Sequence, residues 1–280
     1  MAVIESRPVP AQPVAFKDDI ARDFGVASAT YEQASRLQRL TGNAMLQTLV
    51  AGPALSRQHR ILDLGCGTGW FTRRLKEFWP DCQLAGVDLS PGMIRQARQQ
   101  TAADVHWLQA DAESLPLPDQ SFDIIFSNLM IQWCDHPEQV LRECRRLLRP
   151  GGRLVVSTLL EGTLRELKQA WQMADPGIEH VNRFTSGGHI RQLVDAALPG
   201  AELETRTIEL PYRSPLELAR ELKHLGAVYK GAARRKTVTA PGRVNAMCRH
   251  YPAAPDGTVT ASYEAAWVFW QSSPLNTATL

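Results

Sequence analysis

Between Ile61 and Gly69 the chain reads Ile-Leu-Asp-Leu-Gly-Cys-Gly-Thr-Gly. An apolar run carrying one acid ends in three glycines at alternate positions, the pattern of a buried strand entering a tight turn. Glycine is needed there because a Cβ would block either the turn or the close approach of a ligand to the backbone. Turns of this kind serve dinucleotides and phosphates as well as other ligands, so the acids around them narrow the choice. Asp63 precedes the first glycine, and Asp88 closes Cys-Gln-Leu-Ala-Gly-Val-Asp. That second acid lies about 20 residues beyond the glycines, where ribose-binding acids sit.

Strands and helices alternate around this turn. The residue patterns predict strands at 60–64, 83–88, 105–109, 124–127 and 153–158, with helices at 70–78, 91–100 and 137–148. Ser90 followed by Pro91 is an N-cap with proline in the first turn, where its missing N–H costs nothing. Ile124 to Ser127 is almost wholly apolar, as a central parallel strand requires. Such alternation predicts βαβ units and a parallel sheet. Beyond Leu159 the rhythm changes to helices at 164–173 and 188–197, a strand at 203–210, a helical insertion at 215–249 and a strand at 258–270. The last two strands enclose an insertion instead of a crossover helix, which predicts antiparallel pairing.

Helical periodicity also runs from Asp18 to Leu49 and stops at Gly52-Pro53. Residues 1–16 alternate prolines without an apolar core segment and read as a disordered leader, not a secretory signal. Residues 17–280 read as one domain, long enough to bury a sizeable core. Within it, 17–52 form lid helices, 60–158 the ligand-binding core, and 159–185 with 212–250 the insertions on the acceptor side. A net charge of +2 argues for no nucleic-acid partner, and no apolar run approaches the ~20 residues of a membrane span. The five cysteines are scattered without CxxC spacing, which argues for reduced thiols in a cytoplasm and against a disulfide frame or a metal site.

A third acid, Asp111, stands in Gln-Ala-Asp-Ala-Glu after the third strand. Three parallel strands ending in acids set Asp63, Asp88 and Asp111 along the carboxyl edge of the sheet, where open α/β folds bind ligands. Asp88 would accept from both ribose hydroxyls. Asp111 would accept from an adenine amino group while Ala112 N–H donates to the ring, and Asp63 would orient the glycine loop and a cationic tail. A pyrophosphate would be repelled by acids crowding the turn, so a cationic sulfonium ligand fits better than a dinucleotide.

Asp-Leu-Gly-Cys-Gly-Thr-Gly, Val-Asp-Leu-Ser, Ala-Asp-Ala-Glu, Phe-Asp-Ile-Ile-Phe-Ser-Asn and Leu-Arg-Pro-Gly-Gly follow one another within 61–158. This order resembles the class I S-adenosylmethionine-dependent methyltransferases. The resemblance implies a Rossmann-like α/β sandwich, its seven-stranded sheet mostly parallel with the last strand antiparallel, plus helical lid insertions. It implies S-adenosyl-L-methionine as cofactor, S-adenosyl-L-homocysteine as product and no metal. The cofactor site would draw on Asp63, Gly65, Cys66, Gly67, Gly69, Asp88, Leu89, Met93, Asp111, Ala112, Ser127 and Asn128.

A narrower resemblance lies outside the core. Phe24-Gly25, Thr30 to Ala34, Leu37-Gln38-Arg39, Ser127 to Cys134, Gly162 to Leu167, His180 to Phe184 and Leu222 to Ala227 are similar to biotin-synthesis malonyl-[acyl-carrier protein] O-methyltransferases. That implies methylation of the free carboxyl of a malonyl thioester, on acyl carrier protein or on CoA, giving the ester that primes pimelate formation. Tyr31 would be part of a lid, and Gln132, Trp133, His180 and Asn182 would form the acceptor pocket. Arg183, Arg213 or His180 would supply the cation for the malonyl carboxylate. The basic residues Lys223, Lys230, Arg234, Arg235 and Lys236 would steer an acidic carrier protein to the insertion. The rival acceptor is a free, aconitate-like carboxylic acid. A nucleic-acid methylase is disfavoured by the near-neutral charge and by Ser127-Asn128-Leu129-Met130 where an Asn-Pro-Pro-Tyr motif would stand. A module that binds the cofactor without catalysis is the remaining alternative.

Overall fold

The computed structural model describes residues 15–52, 59–101, 104–231 and 239–274, with side chains from residue 17 onward. Its strands are β1 (Arg60–Leu64), β2 (Gln83–Asp88), β3 (His106–Gln109), β4 (Phe122–Asn128), β5 (Leu148–Leu159), β6 (Glu202–Tyr212) and β7 (Val259–Gln271). They form one seven-stranded sheet in the order β3-β2-β1-β4-β5-β7-β6. Strands β1 to β5 run parallel, and β7 is antiparallel to both of its neighbours. The antiparallel pairing of the last two strands is therefore present, with β7 slotted between β5 and β6.

Chain alternation explains the core. In β1, Ile61 packs on one face of the sheet while Leu62 and Leu64 pack on the other, all fully buried. The helices α1 (Ala15–Ala27), α2 (Tyr31–Ala34), α3 (Arg36–Ala51) and α4 (Trp70–Phe78) precede α5 (Pro91–Gln100) and α6 (Pro137–Leu147). Leu37, Met45 and Leu49 of α3 join Phe71 and Leu75 of α4 against the first face. Val140, Leu141 and Leu147 of α6 cover the second, with Ile190 and Val194 of α8 (Gly187–Ala197). The strand order reverses between β2-β1 and β4, which opens a crevice at the carboxyl ends of β1 and β4.

Several boundaries differ from the sequence reading for local reasons. The helical pattern at 18–49 divides into three helices. The Thr30 hydroxyl turns back to the carbonyls of Ala27 (3.1 Å) and His224 (3.0 Å), and the Ser35 hydroxyl to that of Glu32 (3.0 Å). Such side-chain bonds compete with continuing helix. β5 begins at Leu148 and not at Arg153, because Leu148 pairs with Phe122 before the register jumps to Ile124 and Arg153. The insertion resolves into α9 (Pro215–His224) and α10 (Pro241–His250), and α10 packs on α7 (Arg165–Ala174). The leader's residues 1–14 lie outside the described residues, and α1 already begins at Ala15.

Helix α1 crosses α5 at a glycine pair. A Cβ on Gly92 would come within 2.6 Å of the Gly25 Cα, so only glycine permits this contact. Ser90 Oγ also donates to Ala21 O at 2.6 Å. These contacts hold α1 above the crevice. Among the described residues, no helix is long and apolar enough to cross a membrane, and no cluster of three His, Cys, Asp or Glu could hold a metal ion.

Candidate functional site

The glycine turn after β1 is left-handed at Gly65 (φ +76°), Gly67 (+55°) and Gly69 (+77°). A Cβ on Gly65 would lie 2.3 Å from Met130 Cγ. On Gly67 it would meet only the Tyr31 ring, at 3.8 Å, so this glycine leaves an open cradle beneath Tyr31. Gly65 N and Cys66 N donate to Val87 O at 2.7 and 2.9 Å, tying the turn to β2. At the end of β2, Asp88 Oδ2 accepts from Gly67 N (2.9 Å) and Oδ1 from Ser90 N (2.8 Å). Burial raises the Asp88 carboxyl, and those two N–H groups oppose the rise.

A cavity of about 750 Å³ opens beside this turn. Of the residues predicted to hold a cofactor, Gly65, Gly67, Asp88, Leu89, Met93, Asp111, Ala112 and Asn128 line it. Asp63, Cys66, Gly69 and Ser127 do not; they stand behind the backbone they adjoin. Asp63 is 2% exposed and accepts from Thr72 Oγ1 at 2.5 Å, so its carboxylate braces α4 and does not face a ligand. Burial pushes its carboxyl up to about 7, with the Thr72 bond opposing and the nearby Asp88 adding to the rise. Ser127 Oγ donates to Leu64 O at 2.9 Å, and Gly69 starts α4 against Trp107 and Ala97. Burial drives the Cys66 thiol well up, which keeps it unreactive.

The lid helices expected at 17–52 include this roof, but no motif marks which side chains form it. Lys17, Ile20, Ala21 and Phe24 of α1 close the cavity. Lys17 Nζ bonds Asp111 Oδ2 (2.7 Å) and Glu113 Oε2 (2.9 Å), while Asp111 Oδ1 accepts from Glu113 N (3.0 Å). An adenine amino group reaching Asp111 would share it with Lys17. Only the amphipathic spacing of α1 hinted at this, since no local motif marks Lys17.

A second cavity, of about 1050 Å³, adjoins the first. Phe24, Tyr31, Leu129 and Trp133 line both, so these side chains form a common wall. Phe24 meets Trp133 edge to face with ring centroids 5.2 Å apart. Burial holds the Tyr31 phenol far above its usual range, with the Asp88 and Asp63 carboxylates adding to the effect, so it stays protonated. Gln132, His180 and Asn182 also line the second cavity. Gln132 Nε2 donates to Leu129 O at 2.8 Å. Asn182 donates to Val228 O (3.1 Å) and accepts from Lys230 N (2.8 Å), so its amide clamps the 228–230 backbone. His180 stacks on Trp171 and bonds Asp175.

The charged residues assigned to partner and acceptor divide sharply. Lys230 does not belong to a docking surface: its side chain is fully buried and its ammonium pairs with Asp23 of α1, over the Phe24 ring. A basic stretch in sequence reads as surface, but the fold turns this member inward. Lys223 is exposed on α9, and Arg234, Arg235 and Lys236 lie outside the described residues. Arg183 is exposed and pairs with Glu179, and Arg213 is exposed; neither lines the second cavity.

A nucleoside-sized crevice at the switch point of the sheet, joined through an aromatic wall to a second cavity, defines a two-substrate site on the class I methyltransferase fold. Residues 62–156 match the family described as Methyltransferase domain. The phosphoethanolamine N-methyltransferase 2 of Haemonchus contortus shares the fold, with a TM-score of 0.58 at 20% identity over 96% of this chain and 62% of that one. Closer relatives narrow the class. A malonyl-[acyl-carrier protein] O-methyltransferase of Hahella chejuensis is 39% identical over 241 residues, 84% of this chain and 83% of its own. One from Enterobacter lignolyticus is 37% identical over 244 residues, 86% and 92% of the two chains. The chain belongs to the malonyl-[acyl-carrier protein] O-methyltransferase family.

Proposed function

We propose that this protein methylates the free carboxylate of malonyl-[acyl-carrier protein], giving the methyl ester that primes pimelate formation in biotin biosynthesis. The observation that carries this reading is the aromatic wall of Phe24, Tyr31 and Trp133 common to both cavities. A group held in one cavity can meet a group held in the other at this shared wall, which Leu129 also joins.

The first cavity fits S-adenosylmethionine. Asp88 presents a carboxylate at the ribose end, Gly67 leaves an open cradle, and Asp111 and Ala112 stand where an adenine would lie. When bound, S-adenosylmethionine supplies a methyl group on a sulfonium and departs as S-adenosylhomocysteine. A carboxylate is ionised at neutral pH, so the acceptor needs no general base. Accordingly Tyr31, locked in its protonated form, serves as wall and donor and not as base. Phe24, Tyr31 and Trp133 exclude water and fix the approach direction, so the work of the site is alignment. The reduced, largely buried cysteines favour a cytoplasmic setting.

Helix α9 supports a carrier-protein partner. Its inner side gives Leu222 to the second cavity, while Arg220 and Lys223 are exposed beside it. Reversing both charges, Arg220→Glu with Lys223→Glu, should raise the KM for malonyl-carrier protein roughly 10-fold at low salt. The effect should shrink at high salt, where surface charges are screened. Malonyl-pantetheine, which lacks the acidic carrier, should be used equally well by both forms. An equal rise for both acceptors would remove α9 from the docking surface.

A further inference from the structure

A malonyl carboxylate entering the second cavity meets mostly apolar walls, among them Leu159, Leu164, Leu167 and Val181. A charge placed there needs a cation or donors, because burying it unpaired is prohibitive. Among the described residues lining this cavity, Glu221 and His180 are the acidic and basic side chains. Glu221 is occupied, accepting from Tyr212 OH at 2.7 Å with Arg36 at 3.7 Å, and a second carboxylate would be repelled by it. His180 is left.

The surroundings of His180 hold its ring in one orientation. Its ring lies flat on Trp171, with centroids 3.8 Å apart and planes 11° from parallel. Its Nε2 is 3.0 Å from Asp175 Oδ2, and Arg243 Nε holds the other oxygen, Oδ1, at 3.2 Å. Asp175 is 6% exposed and is the C-cap residue of α7, so it is fixed by the helix that carries Trp171. An ionised carboxylate only accepts, so Nε2 must carry a hydrogen. A neutral ring bonded this way has a bare lone pair at Nδ1, which would face a carboxylate as acceptor to acceptor. The imidazolium instead carries Nδ1–H as well. An acceptor carboxylate arriving at Nδ1 is the group that this second N–H would pair with. Among the described residues, Nδ1 has no hydrogen-bond partner.

We propose that His180, as the imidazolium, receives one oxygen of the acceptor carboxylate through Nδ1–H, and that Asp175 is the positioning residue that fixes its ring and tautomer. The other carboxylate oxygen stays free to attack. Arg243, from α10, keeps Asp175 from rotating away. This rests on the malonyl reading above and adds to it the group that distinguishes the free acid from its ester.

The test is binding, read by calorimetry in the presence of S-adenosylhomocysteine, with malonyl-pantetheine and its methyl ester as probes. His180→Gln and Asp175→Asn should each weaken the acid roughly 10-fold or more, as loss of a charge-assisted bond does. Both should leave the uncharged ester and S-adenosylhomocysteine bound as in the unaltered protein. The double variant should be no worse than His180→Gln alone. Equal weakening of acid and ester, or no weakening of the acid, overturns the proposal. His180→Gln keeps it testable even where Asp175→Asn disturbs folding. Failure of the unaltered protein to bind the acid would overturn the malonyl reading itself.

Discussion

Asp88→Ala is expected to lower affinity for S-adenosylmethionine by roughly 100-fold or more. The carboxylate at the end of β2 stands where both ribose hydroxyls would donate to it, and hydrogen bonds to a charged group contribute about 1.5–3 kcal/mol each. The same two oxygens also accept from Gly67 N and Ser90 N, at 2.9 and 2.8 Å. Alanine therefore removes the ribose acceptor and loosens the glycine turn that forms the rest of the cradle. Asp88→Asn should fall between, since its single carbonyl oxygen replaces part of what the carboxylate accepts. Calorimetry with S-adenosylmethionine or S-adenosylhomocysteine measures this directly. Near-normal affinity in Asp88→Ala would contradict the ribose role.

The second large effect is on stability and depends on pH. The Asp63 carboxyl is pushed up to about 7 in the folded protein, against 3.8 for the ordinary group. Between those values the folded state holds a proton that the unfolded chain has released. Stability must then fall as pH rises through that window, and the loss is complete above about pH 7. A shift of this size corresponds to about 4 kcal/mol. Asp63→Asn cannot ionise, yet its amide oxygen can still accept from Thr72 Oγ1. The variant should match the unaltered protein near pH 4 and exceed it by roughly that amount at pH 8, read from urea unfolding at both pH values. Parallel pH profiles for the two proteins would rule out Asp63 as the source.

The core of the fold was legible because its signals are local. Glycines, capping serine and terminal acids mark the ends of β1, β2 and α5 to the residue, and these elements form as read. What the motifs could not show was which side of the turn each residue faces. Cys66 and Ser127 sit inside the motifs yet behind the cavity wall, because the tie of the Cys66 N–H to Val87 O and the Ser127 hydroxyl bond to Leu64 O turn them away from it. The roof was harder still. Lys17 reaches Asp111 across 94 residues, and Phe24 reads as one more apolar position on a helix although it faces both cavities. Lys230 shows the same limit in reverse. Its charge suggested a surface, yet its ammonium pairs in the interior with Asp23, 207 residues earlier. His180 was visible as a residue type, whereas Asp175 and Arg243, which give it an orientation, come from α7 and α10 and leave no mark on the local sequence.

The central claim is the acceptor, and one assay tests it most directly. The protein is given S-adenosylmethionine with malonyl-carrier protein, malonyl-CoA, or free malonate and aconitate, and the products are read by mass spectrometry. The account predicts a base-labile methyl ester on the malonyl group of the carrier-linked substrate, with the free dicarboxylates left unmethylated. Methylation of a free dicarboxylate while malonyl-carrier protein stays unmodified would contradict it.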